Sequence, residues 1–140
     1  MDTRIKGKVR TMLCTIASAT EIEVGDLVTQ TSGLIVKAGA TSTKLARAMK
    51  ASAVGDTVIE VSRGEIEMEM DGSNVFAVTQ KGGEYDMAID GVTGKQTVNT
   101  SGTTYKVLMI DPSQDAGVVG SASNIKVKII RPLDSMLGTA

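Results

Sequence analysis

Val24-Gly25-Asp26-Leu27-Val28 recurs thirty residues later as Val54-Gly55-Asp56-Thr57-Val58. The continuations are alike: Thr29-Gln30-Thr31-Ser32-Gly33-Leu34-Ile35 after the first copy, and Ile59-Glu60-Val61-Ser62-Arg63-Gly64-Glu65-Ile66 after the second. Gly-Asp reads as a turn, because glycine takes a positive φ at no steric cost and aspartate bonds its own backbone two residues on. A short strand follows, then a second turn at Ser32-Gly33 or Arg63-Gly64, then another strand. Two copies with a one-residue slippage are too few for a solenoid, which needs at least three stacked units. They predict two successive hairpins of one sandwich or barrel. The competing reading is chance recurrence in a chain rich in Val and Gly.

Composition points the same way. Of 140 residues, 15 are Val, 11 Ile and 16 Thr, so 30% are β-branched, stiff at χ1 and suited to a pleated sheet. Fifteen Gly provide many turns, Pro occurs only twice, and the length is that of one domain. The expected fold is all-β: a small antiparallel sandwich or barrel of short hairpins, with an extended N-terminal arm and long polar loops. Residues 1–20 read as the arm and first strand, 21–132 as a single β domain, and 133–140 as a loosely held tail.

Between the copies, residues 43–51 mix good helix formers with an imperfect alternation; the all-β surroundings favour a strand. Residues 65–70 alternate without exception, Glu65, Glu67 and Glu69 one way and Ile66, Met68 and Met70 the other. Asp71-Gly72 then reads as a two-residue hairpin turn, with residues 74–79 returning as the partner strand. Further strands are expected at 85–90, 105–110 and 126–129, with a Thr/Gly-rich excursion at 91–102 and a surface loop at 113–124. Pro112 cannot donate to a ladder and should end the strand before it.

The N-terminus carries Arg4, Lys6, Lys8 and Arg10 at alternate positions, which places four cations on one face of an extended strand continued by Met12-Leu13-Cys14-Thr15-Ile16-Ala17. Two readings are open: a first strand whose charged side is solvated or paired with acids, and a basic arm that leaves the domain to contact an acidic partner. A cross-strand match of Lys126, Lys128 or the N-terminal cations with Glu65, Glu67 and Glu69 would account for the charge stripes.

Several function classes fall away. With no His there is no imidazole base and no Ser-His-Asp or Cys-His pair, and one Cys allows neither a disulfide framework nor a CxxC pair. Cys14 lies in an apolar run and reads as a small buried hydrophobe. Three Glu along one strand face splay too widely for a tight oxygen cage, so no metal site is expected. A net charge of −1 and three scattered aromatics offer neither a positive field nor stacking platforms for nucleic acid. No apolar run is long enough to span a membrane, and no secretion leader is evident. No phosphate-binding glycine motif or GxSxG elbow occurs. A hydrolase with a carboxylate or Ser-Lys site stays open on composition, but no spacing singles out such a pair. The expectation is a binding protein with no catalytic residues, no cofactor and no small-molecule substrate.

The run Val24-Gly25-Asp26-Leu27-Val28, Gly33-Leu34-Ile35-Val36, Ala46-Arg47-Ala48 and Ala53-Val54-Gly55-Asp56-Thr57-Val58 resembles small tailed-bacteriophage capsid decoration proteins. In that group a GD-x-V run leads to a G-L-x-G-V-A segment and then to A-x-x-G-E. Residues 58–70 fit its next strand loosely, with Arg63-Gly64-Glu65-Ile66 in place of a small-residue turn. Tyr85-Asp86-Met87-Ala88-Ile89 and Lys106-Val107-Leu108-Met109 look like its later segment, with Tyr85 where Gly is expected. Ile35-Val36-Lys37 also departs from the pattern. The resemblance, over about residues 24–110, implies a β-rich homotrimer on the outer capsid surface of the virion, made in the host cytoplasm. It would clamp neighbouring major capsid protein subunits of the expanded shell, often through an N-terminal arm. On that reading Arg4, Lys6, Lys8 and Arg10 are the capsid-binding candidates. The alternative is another virion part, a tail-tube or head-fibre component.

Overall fold

Side chains at every second position turn inward along residues 11–15, 67–70 and 125–129, as a half-buried sheet requires. The structure, a computed structural model, describes residues 3–5, 9–17, 21–72, 82–90, 94–99, 107–111 and 125–134. The strands are β1 (Thr3–Ile5), β2 (Thr11–Thr15), β3 (Leu27–Thr31), β4 (Leu34–Lys37), β5 (Ala46–Arg47), β6 (Val58–Ser62), β7 (Glu67–Gly72), β8 (Glu84–Ile89), β9 (Gln96–Asn99), β10 (Val107–Asp111) and β11 (Ile125–Ile129). Strands β1, β7, β11, β10, β8 and β9 lie side by side in that order. The sheet curls until β9 meets the end of β7 in parallel, over Asp71↔Thr97 and Gly72↔Val98. Strand β2 pairs with β6, and β4, β3 and β5 form a third sheet. The chain is all-β and built of several short antiparallel sheets.

Two apolar cores result. Met68, Met70, Met87, Val127 and Ile129 centre the first, under the six-stranded sheet; Ile22, Ile35, Ile59 and Val61 centre the second. The third sheet is the wall between them. Leu27 and Leu45 enter the first core, while their neighbours Val28 and Ala46 enter the second. Period-two alternation thus feeds both cores at once. Gln96 ties the six-stranded sheet to the third sheet: buried in β9, it accepts from Leu27 N–H (2.7 Å) and donates to Leu27 O (2.7 Å) and Ala38 O (3.0 Å).

The repeat is built as one turn used twice. Gly25 and Gly55 have φ of 95° and 100°. Asp26 Oδ2 accepts from Glu23 N–H (2.9 Å), and Asp56 Oδ2 from Ala53 N–H (2.8 Å). The carboxylate therefore reaches three residues back, not two residues on as expected from turn chemistry alone. Ile22 and Ser52, each two residues ahead of its Val-Gly-Asp run, bond one another in both directions (2.8 and 3.4 Å). Around that pair the halves exchange partners: β2, ahead of the first copy, pairs with β6, which follows the second, and β5 pairs with β3.

Only the first copy forms the expected hairpin. Ser32 (φ 51°) and Gly33 (φ 81°) both lie at positive φ, the two-residue turn whose twist matches its strands, and β3 pairs with β4 across it. In the second copy four residues separate β6 from β7, and of Arg63-Gly64 only Gly64 has positive φ (77°), so the two strands enter different sheets. The N-terminal run is likewise two strands, not one: β1 pairs with β7 and β2 with β6. Val9 packs on the first core and Met12 on the second, so the chain must cross between them. Asp71-Gly72 ends β7 instead of turning, because β9 bonds it there; the expected return strand at 74–79 lies outside the described residues. Strand β9 itself sits in the stretch expected as an excursion, its Gln96, Thr97 and Val98 buried. The strand reading of 43–51 holds at Ala46–Arg47. Leu133 and Asp134, expected in a loose tail, are held by Leu133 N–H to Leu45 O (3.0 Å) and Gly64 N–H to Asp134 Oδ1 (2.8 Å). The expected loop at 113–124 lies outside the described residues.

Candidate interaction surface

The solvent face of the β7–β11 pair in the six-stranded sheet sets lysines opposite glutamates. Along β7, Met68 and Met70 point into the core, which leaves Glu67 and Glu69 on the other face. Register places Lys126 opposite Glu69 and Lys128 opposite Glu67 on β11, and Arg4 opposite Glu69 on β1. Asp111 of β10 is paired in register with Lys126 past an irregularity between Met109 and Asp111. Lys128 Nζ also stands 3.2 Å from Glu65 Oε1. The expected match of cations with the Glu stripe is met, and the reason is register: opposite charges directly across strands attract, like charges repel.

The four N-terminal cations do not share one strand face. Arg4 belongs to the six-stranded sheet. Arg10 is exposed at the head of the β2–β6 ribbon, where its carbonyl accepts from Arg63 N–H (2.8 Å). Lys6 and Lys8 lie outside the described residues.

The β2–β6 ribbon presents a different surface. Its inner face, Met12, Cys14, Ile59 and Val61, lines the second core. Its outer face carries Leu13, 72% exposed, and Val58, 54% exposed, diagonal neighbours because Leu13 pairs with Glu60 and Val58 with Thr15. Lys50 Nζ, 3.5 Å from Glu60 Oε2, rims it. The alternation in Thr11-Met12-Leu13-Cys14-Thr15 carried the signal for an outward Leu13, although the run reads as uniformly apolar at first sight.

Buried polar groups are structural. Asp26 holds its turn and faces Lys37 Nζ at 3.8 Å. Arg47 is buried in β5; its N–H donates to Ser62 Oγ (2.8 Å), its Nη1 reaches Ala48 O (3.5 Å) and Met49 Sδ (3.3 Å), and burial lowers its pKa from the usual arginine value. Cys14, expected as a buried residue, is half-buried, and that partial burial pushes its thiol pKa up, which favours the protonated form near neutral pH. Among the described residues no three His, Cys, Asp or Glu side chains gather in a way that could hold a metal ion. Comparison of the chain with protein-family models, curated proteins and solved structures finds no match.

Proposed function

We propose that this chain is a structural virion protein that binds the outside of a bacteriophage capsid and stabilises the expanded shell by bridging major capsid subunits. The observation that supports the reading is the run of Gly-Asp turns and small residues over about residues 24–110, which resembles that of capsid decoration proteins. On this reading the paired sheets act as a small sandwich, three copies associate, and the chain works by contact without chemistry of its own. A domain with few aromatics gains stability when protomers bury surface against one another. Repeated over a shell, modest contacts become hard to dissociate because each further site engages intramolecularly.

Arg4, Lys6, Lys8 and Arg10 are the residues we assign to the capsid contact. Replacing all four with Ser is expected to weaken attachment to purified capsids and flatten its dependence on salt; unchanged attachment rejects that assignment. Light scattering of the purified chain should give a discrete trimer, whereas open-ended polymers favour a tail tube. Negative-stain images of particles assembled with and without the chain decide the reading: identical outer surfaces would refute it.

A further inference from the structure

The ribbon of β2 and β6 has ends of opposite charge. At one end Arg63 N–H donates to Arg10 O (2.8 Å), continuing the β2–β6 register and setting two exposed arginines opposite one another. The chain after β11 passes the same turn: Ile129 N–H donates to Ile66 O (3.0 Å), and exposed Arg131 follows. Two carboxylates nearby are paired within the chain. Asp134 faces Arg63 Nε at 3.6 Å, with the arginine side chain still 45% exposed, and Glu65 stands 3.2 Å from Lys128. Like charges directly opposite repel, so this end carries an uncompensated positive excess. The other end lies about 20 Å along β2, where Ile16 N–H donates to Thr57 O (3.1 Å). There the two Val-Gly-Asp turns are joined by the Ile22–Ser52 hydrogen bonds. Glu21, Glu23 and Asp56 are exposed around Val24 and Val54, themselves 36% and 60% exposed. The cations nearby are paired inside the chain, Lys37 with Asp26 at 3.8 Å and Lys50 with Glu60 at 3.5 Å.

We propose that copies of this chain associate head to tail, the Arg63–Arg131 end of one seated on the Glu21, Glu23 and Asp56 end of the next. A planar guanidinium meets a carboxylate through two parallel hydrogen bonds, and its aliphatic stem covers the exposed valines. With a net charge of −1, whole copies repel one another little, so the charged ends decide how they meet. Such a contact joins two different surfaces and closes into a ring when its rotation permits. The inference deepens the three-copy association proposed above and rests on that part of the reading, supplying the surfaces through which the copies meet. Arg10, assigned to the capsid contact, borders this end and is left unaltered in the test.

Sedimentation equilibrium of the full chain, without capsids, measures the association. Raising the salt from about 0.05 to 0.5 M should weaken it roughly tenfold or more. At low salt, Arg63→Gln with Arg131→Glu should weaken it about tenfold, and so should Glu21→Lys with Glu23→Lys. All four substitutions in one chain should recover most of the loss, because opposite signs then meet again. A circular-dichroism spectrum matching the parent's shows that each variant folds; the salt series on the parent stands in for any that does not. A trimer indifferent to salt and to both pairs of substitutions overturns this contact and leaves the three-copy association standing. A chain that stays monomeric up to about 1 mM overturns both. Loss in both pairs without recovery in the combined chain also overturns the head-to-tail contact.

Discussion

Gln96→Ala tests the junction between the six-stranded sheet and the third sheet. The side-chain amide, 1% exposed, makes three hydrogen bonds to β3 and the residue just beyond β4. Leu27 O keeps a second partner, Ala38 N–H at 2.9 Å, so truncation orphans Leu27 N–H and Ala38 O. Each unsatisfied buried group costs about 1–3 kcal/mol, and the vacated volume adds to this, for a total of about 3–5 kcal/mol. Against the roughly 5–15 kcal/mol that holds a typical domain folded, that is a large fraction. Urea unfolding followed by far-ultraviolet circular dichroism, suited to a chain without Trp, measures it. Gln96→Glu sharpens the test, since it keeps the acceptor for Leu27 N–H but turns a carboxylate on two carbonyls. It should be as damaging at pH 7 and recover part of the loss in acid, where a protonated carboxyl donates again. A cost below about 1 kcal/mol for Gln96→Ala, with an unchanged m-value, would refute the clamp.

Cys14 gives a pH dependence of definite sign. Burial raises its pKa in the folded state, so its contribution is fully present while the unfolded thiol is still protonated. Above about pH 8.5 the unfolded chain releases a proton that the folded protein retains, and stability declines until the folded thiol ionises too. Cys14→Ala should be less pH-sensitive than the parent over that window; equal slopes in unfolding titrations would contradict the assignment. Ser52 Oγ is buried without a partner among the described residues, and its counterpart in the other copy is the apolar Ile22, so Ser52→Ala should leave the unfolding free energy from urea titration unchanged or raise it by up to about 1 kcal/mol. Ser32→Asn should stabilise by roughly 0.5 kcal/mol, because Asn accepts positive φ and Asn-Gly favours this turn; a lowered melting temperature would count against it. Lys128→Glu sets a carboxylate against Glu65 and Glu67 and should cost about 1 kcal/mol at low salt, less in molar salt, with Glu67→Lys restoring part; a double-mutant cycle without coupling would show the ladder to be inert.

Much of this molecule is legible residue by residue. The Glu65–Met70 alternation, the paired Gly-Asp turns and the β-branched content act through the chain's own period and dihedral preferences, so they declare strands, turns and the all-β class without reference to distant neighbours. Even the match of lysines to glutamates was within reach, since charge stripes on strands want opposite stripes beside them. The partners were not. Whether Arg63-Gly64 closes a hairpin or sends β7 into another sheet, and whether β2 stays with β6 or yields Ala17 to Ile35, depends on which of two cores each stretch can reach. The same holds for Gln96, unremarkable in a polar stretch until tertiary packing sets its amide against Leu27. Sequence alone determined the β character of most segments, though not that of Gln96–Asn99; burial and hydrogen-bond satisfaction over long separations, which no local pattern encodes, decided where each one goes.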